Sequence, residues 1–285
     1  MRCPNEVADN PLRIGIVDYL NSRPLAWSFL PGVPVEGLEP FFLSPAIIAE
    51  SLASGELDVG LIPTIELQRI GGLSVVPGLC VAAHREVRSV LLVSRVDIHD
   101  INSLALDENS RTSAALIRII LRDLYEIDPA ATTCKPDVSK MLRFADAALV
   151  IGDPALAIDR SRYLVLDLAV EWRRLTGKPF VFAVWAIRKG VDLGRRLGLF
   201  RQSLVRGLEN IETLVQTAAS EQSLPKSEVR EYLTEHLSYR LGDDELSGLG
   251  EFFDRAFEYK LIPAVSPLRF AGSCGDMGDS VEYEI

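Results

Sequence analysis

The chain has 285 residues, room for two ordinary domains or one large one, and enough to bury a core without disulfide or metal staples. Its 48% hydrophobic and 25% charged residues exclude disordered, collagen-like and coiled-coil chains. With 30 Lys and Arg against 40 Asp and Glu the net charge is −10, which argues against a sequence-independent grip on nucleic acid or an anionic membrane surface and leaves a small molecule as the expected partner.

In chain order, Leu12 to Val17 is a short apolar run that reads as a strand, followed by the loop Asp18 to Ser22. Pro24 suits the first turn of the helix that comes next, with Asn21 or Ser22 placed to cap it. Ser44-Pro45 opens a helix from Ala46 to Ser54, which Gly55 ends. Leu57 to Ile62 is a buried strand closed by Pro63, and Thr64 to Ile70 a short helix stopped by Gly71-Gly72. Val90 to Ser94 and Leu104 to Asp107 read as strands, and the polar turn Glu108 to Ser113 leads into a long helix on which Leu116, Ile119, Ile120 and Leu124 share a face. Asp137 to Phe144 is a short helix and Ala147 to Ile151 a strand that ends in the sharp turn Gly152-Asp153-Pro154. Leu164 to Asp167 and Phe180 to Ile187 are strands on either side of a helix carrying Trp172. Leu193 to Ala218, Lys226 to Leu237 and Asp243 to Tyr259 have helical periodicity; Ile262 to Phe270 is extended, and Ala271 to Ile285 reads as a mobile tail.

This alternation predicts an α/β fold of mixed, mostly parallel sheets flanked by helices. The expected division is one discontinuous lobe from 1–87 plus 189–285 and a second from 88–188. Ligands of such sheets bind beyond the carboxyl ends of strands, where three polar turns fall: Asp18 to Ser22, Asp107 to Ser113 and Gly152-Asp153. They come from different parts of the chain, so a cleft between the lobes would gather them.

Cys3, Cys80, Cys134 and Cys274 are widely separated and form no Cys-x-x-Cys, so they read as reduced thiols, and no metal site is expected. The first twelve residues lack the basic start and apolar run of a secretory signal, and no apolar stretch approaches the ~20 residues of a membrane helix. The expected location is the cytoplasm. Neither phosphate-cradling glycine motif of nucleotide sites is present, so no cofactor is expected. His84, His99 and His236 are isolated, and the three tryptophans read as core.

Five segments carry a resemblance: Arg13-Ile14-Gly15 with Tyr19-Leu20-Asn21-Ser22-Arg23-Pro24-Leu25; Gly55 to Pro63; Leu106-Asp107 with Ser110-Arg111-Thr112-Ser113; Ile151-Gly152-Asp153; and Leu261-Ile262-Pro263 with Pro267-Leu268-Arg269-Phe270. In this order they resemble the MqnA family, the chorismate dehydratases of the futalosine route to menaquinone. The resemblance implies a two-lobed fold of the periplasmic-binding-protein type II kind. It also implies a hydro-lyase that converts chorismate to 3-[(1-carboxyvinyl)oxy]benzoate, acting as a monomer or weak homodimer with no nucleic-acid or membrane partner. A sister enzyme making 1,4-dihydroxy-6-naphthoate and a non-catalytic solute-binding protein are the rival readings.

Such a reaction needs donors aimed at developing charge and a fixed substrate conformation. By the resemblance Asn21 is the catalytic residue; by spacing alone it is a helix cap beside Pro24. Ser110, Thr112 and Ser113 open a helix whose free N–H groups and hydroxyls form an anion seat, or a capping cluster with no ligand. Ser89, at the crossing into the second lobe, matches a serine of the family and is expected to bind substrate. Gly152 lets backbone approach a ligand, and Asp153 orients a hydroxyl, acts as a base or caps the next helix. With no histidine or lysine on offer, the proton acceptor is either the enolpyruvyl carboxylate of chorismate or Asp153.

Overall fold

In the computed structural model the described residues are 11–32 and 36–272; Cys3, Cys274, the residues before Pro11 and the tail beyond Gly272 lie outside them. Among the described residues there are eleven strands: β1 (Leu12–Val17), β2 (Leu38–Leu43), β3 (Val59–Pro63), β4 (Ser74–Ala83), β5 (Val90–Ser94), β6 (Ser103–Asp107), β7 (Ala130–Cys134), β8 (Ala147–Ile151), β9 (Leu164–Asp167), β10 (Phe180–Ile187) and β11 (Ser238–Arg240). They form a six-stranded sheet in the order β11-β4-β10-β3-β1-β2 and a five-stranded sheet in the order β7-β6-β8-β5-β9. Each sheet is the centre of one lobe.

Both sheets are mixed, with a smaller parallel share than strand-helix alternation suggests. Around β1 and around β6 the pairings are parallel. Strand β10 is antiparallel to β3 and β4, and β5 is antiparallel to β8 and β9. Strands β5 and β10 begin where the chain has just crossed between lobes, so each enters its sheet from the cleft side.

The division expected at residue 188 also shifts. Phe180–Ile187 lies in the middle of the first sheet, bonded on both sides, so the chain returns to the first lobe just after the helix Leu168–Thr176, about ten residues earlier than the sequence reading placed it. Phe180 and Trp185 are fully buried there. Trp185 meets Phe29 and Phe200 edge to face at 6.1 and 5.1 Å. Trp172, from the helix before the return, packs on Phe180 and Phe252, which joins the second lobe to the helix Asp243–Glu258.

The outgoing crossing, His84 to Ser89, is tied down by one carboxylate. Asp167 accepts from the N–H groups of Val87 (3.0 Å) and Arg88 (2.7 Å), and also caps its own helix through Ala169 N–H (3.0 Å). Arg88 has φ +61°, a left-handed turn that aims the next residue, Ser89, inward.

The end of the first sheet away from the cleft is held by Asp58. It accepts from Arg13 Nε at 3.0 Å, Arg13 Nη2 at 2.9 Å and Arg188 Nη2 at 2.8 Å, clamping the neighbouring ends of β1, β3 and β10. Burial alone would raise this carboxyl, but the two guanidinium groups overcome that and hold it down to about 2. A carboxyl held below its unfolded value adds stability above the unfolded pKa and loses it as pH falls through that value toward the folded one. Wild-type protein is therefore expected to lose denaturant resistance between about pH 4 and 2 more steeply than Asp58→Asn. At neutral pH that variant should itself be weaker by about 2 kcal/mol, a partly exposed version of breaking a buried pair, as read from equilibrium unfolding.

Candidate active site

A cavity lies between the lobes, lined by residues from all three polar turns and from the outgoing crossing. Its apolar wall includes Val17, Leu61, Val81, Val90, Ile151 and Phe182. The polar wall includes Tyr19, Asn21, Ser89, Ser110, Ser113 and Arg111. Among the described residues that line it there is no Asp, Glu, His or Lys. Cys80, Cys134 and the three histidines lie elsewhere.

The loop carrying Asn21 follows β1. Ser22 does not cap the helical turn Arg23–Ala26; its hydroxyl folds back to donate to the carbonyls of Val17 and Tyr19. That tight turn puts Asn21 on the cavity wall. From behind, the helix Leu197–Glu209 presses on Pro24. A Cβ at Gly207 would stand 2.2 Å from Pro24 O, so only glycine allows this approach. In front, Leu20 N–H reaches across the cleft to Asp153 Oδ1 at 2.9 Å.

Asp153 is thereby placed differently from a substrate-facing acid. Its second oxygen accepts from Gln222 Nε2 at 2.7 Å, and it is not among the residues lining the cavity. Burial raises its pKa against the opposing pull of the Leu20 N–H bond. Its carboxylate buttresses the Asn21 loop. Gly152, one residue earlier, does line the cavity, and its backbone at φ +67° and ψ −149° lies in a region essentially reserved for glycine. A Cβ there would meet the Tyr19 ring at 2.8 Å. Tyr19 sits over this bare backbone, and burial together with Asp107 and Asp153 keeps its hydroxyl protonated far above neutral pH.

The turn before the helix Thr112–Tyr125 divides its side chains between two tasks. Ser110 Oγ is buried with no hydrogen-bond partner among the described residues, and Ser113, also buried, lines the cavity. Thr112, although on the wall, is committed to the other lobe: its Oγ1 accepts from Ile65 N–H at 3.1 Å and meets Thr64 Oγ1 at 3.4 Å. Arg111 also bridges the lobes, pairing with Glu50 and with the buried Glu66 at 3.3 Å. Asp107 supports the turn from below, accepting from Asn109 N–H at 2.9 Å. Sequence reasoning passed over Tyr232, whose hydroxyl donates to Ser89 Oγ at 2.8 Å. Only its apolar helical spacing was visible, which marks core.

The sequence profile of a family described as menaquinone biosynthesis matches residues 12–258. A chorismate dehydratase of Thermus thermophilus is 26% identical over 266 residues, covering 85% of this chain and 94% of the relative. A solved structure from Archaeoglobus fulgidus superposes with a TM-score of 0.75 at 14% identity, covering 90% of this chain and 100% of that one. The periplasmic aliphatic sulphonate binding protein of Escherichia coli does so with a TM-score of 0.59 at 17% identity, covering 96% of each. The solved structures establish the fold, with two lobes like those of periplasmic binding proteins. No helix among the described residues is long and apolar enough to cross a membrane.

Gly152→Ala should disturb the site more than the fold as a whole. Backbone strain of about 1–3 kcal/mol and the clash with Tyr19 are expected to lower the thermal midpoint modestly while displacing Tyr19, and with it the loop that carries Asn21. A crystal structure of the variant with Tyr19 unmoved would contradict this.

Proposed function

The chain belongs to the menaquinone biosynthesis family, and on that premise we propose that it is a chorismate dehydratase, the first enzyme of the futalosine route, working between its two lobes. Its curated relative bears that activity by name. The observation that carries the reading is the makeup of the cavity wall: neutral donors and one arginine already paired with Glu50 and Glu66, set among apolar side chains, with no Asp, Glu, His or Lys among the described residues that line it. Such a wall binds an anion and polarises a leaving group, and it suits a substrate that brings its own base.

Chorismate has one in its enolpyruvyl carboxylate. In the proposed mechanism that carboxylate removes the hydrogen from the ether-bearing ring carbon. The electron pair of the broken C–H bond closes the aromatic ring as the neighbouring C–O bond breaks, and the departing hydroxyl takes the proton that the carboxylate has collected, so that it leaves as water and the carboxylate is restored. The Asn21 amide donates to the departing hydroxyl, since an amide polarises but is no effective base. Ser110, Ser113 and the free N–H groups opening the helix Thr112–Tyr125 receive the ring carboxylate, and Ser89 donates to the side-chain carboxylate. Val17, Ile151 and Phe182 flank the ring and exclude water, which strengthens each of these bonds. No cofactor enters this chemistry, and the proposed setting is the cytoplasm, with the enzyme a monomer or weak dimer.

Conversion of chorismate to the aromatic product by purified protein tests the reading, and binding without turnover would make the chain a solute-binding protein instead. Asn21→Ala is expected to lose about 10²–10³-fold in kcat with its fold intact. Asp153→Asn should stay within about tenfold of wild type, because the amide oxygen can still accept from Leu20 N–H and Gln222, whose Oε1 has no partner among the described residues, can turn over to accept from the new NH2 group. A loss of many orders of magnitude in Asp153→Asn with substrate binding unchanged would assign the base to Asp153.

A further inference from the structure

Tyr232 is fully buried and has no place in the mechanism above, yet its hydroxyl meets two of the proposed site residues. It begins the π-helical turn Tyr232–His236, which continues the helix Lys226–Glu231. A π-turn inserts extra backbone and re-aims the side chain it carries, and such turns are frequent at functional sites. Here the ring packs with Leu20 and Val229 around a small second cavity, and Oη donates to Ser89 Oγ at 2.8 Å. The Asn21 side chain approaches the same hydroxyl.

The consequence lies in counting protons. A phenol has one proton, and Tyr232 spends it on Ser89 Oγ. Ser89 is thus satisfied as an acceptor from the protein side, and its own proton has no acceptor among the described residues. Ser89 lines the cavity, so the direction left for its O–H is toward the ligand. We infer that Tyr232 is a positioning residue that acts through Ser89, fixing that hydroxyl as a donor to a carboxylate in the cavity. Because Tyr232 belongs to the C-terminal helices of the first lobe and Ser89 opens the second, the donor is set only when the lobes are docked. This rests on the dehydratase reading.

The competing account is a core tyrosine that merely satisfies its hydroxyl on the nearest oxygen. A double-mutant cycle separates the two, using Tyr232→Phe, Ser89→Ala and the double variant, with kcat and KM for chorismate and the thermal midpoint measured for each. Phe keeps the ring and its packing. Tyr232→Phe and Ser89→Ala are each expected to raise KM about tenfold, the scale of one hydrogen bond to a charged group, with a smaller change in kcat. The double variant should match Ser89→Ala in KM within about twofold, because Tyr232 acts on the carboxylate through Ser89, whereas its approach to Asn21 is read in kcat. Losses that multiply, or a wild-type KM in Tyr232→Phe, would overturn the inference. A wild-type KM in Ser89→Ala overturns it as well, even if Tyr232→Phe fails to fold. Absence of turnover in the wild-type protein would instead remove the dehydratase reading, and this inference with it.

Discussion

The hydrogen bond from Leu20 N–H to Asp153 across the cleft is the join on which the site depends. Leu20 belongs to a loop of the first lobe and Asp153 to the first turn after β8 in the second, so the bond sets the distance between two sheets built independently. The bare backbone of Gly152 beneath the Tyr19 ring fixes the angle of approach at the same point. At the opposite side, Thr112 against Ile65 and Arg111 against Glu66 close a second seam. The cavity is the space left between these two seams, and its wall joins seam residues, Tyr19, Arg111 and Thr112, to side chains that neither seam uses, among them Asn21, Ser89, Ser110 and Ser113. Ser110 keeps a hydroxyl without a partner among the described residues because Thr112 does the structural work beside it, and Asn21 stays on the wall because Ser22 and Asp153 hold its loop.

That division of labour also resolves a tension in the charge. A protein of net charge −10 is a poor long-range attractor for a dianion. Hydroxyls, an amide and helix N–H groups carry no formal charge and still present positive ends locally. They are worth more in an apolar cavity than in water, because competing solvent is removed and the dielectric is low. The apolar residues of the wall are therefore part of the binding chemistry.

Much of this architecture was legible in the sequence, for identifiable reasons. Strands β1, β3, β5, β6 and β8 are continuous apolar runs bounded by turn residues, the signature of strands buried on both faces. Strand β2 escaped notice because it is an edge strand with Glu39 and Pro40 exposed, and β7 because Ala130–Cys134 is short, polar and at the other edge. The lobe to which β10 belongs was not legible, since a buried run has the same composition in either sheet. In the site, residue type pointed to the three turns, but hydrogen bonds decided which members face inward. Thr112 and Ser113 are adjacent, chemically alike and both on the cavity wall, and only the position of Ile65 N–H, remote in sequence, commits Thr112 to the other lobe. Tyr232 was hidden for the same reason, because its partner lies 143 positions away.

The handling of Arg111 ties the binding wall to the proposed chemistry. Binding proteins that share this fold need only hold a ligand, and for that purpose a cation against a carboxylate is the strongest choice. An enzyme that uses the ligand's own carboxylate as a base faces the opposite demand, because a nearby cation favours the charged form and lowers the basicity it must exploit. Here the single guanidinium on the described wall is engaged by Glu50 and by the buried Glu66. Its charge is offset locally, and the donors left for substrate are neutral. Neutral donors hold the anion in place while withdrawing less of its affinity for a proton, so binding is weaker in the ground state and the carboxylate remains a competent base. Weaker ground-state binding with retained reactivity is what raises turnover when interactions strengthen only as the C–O bond breaks.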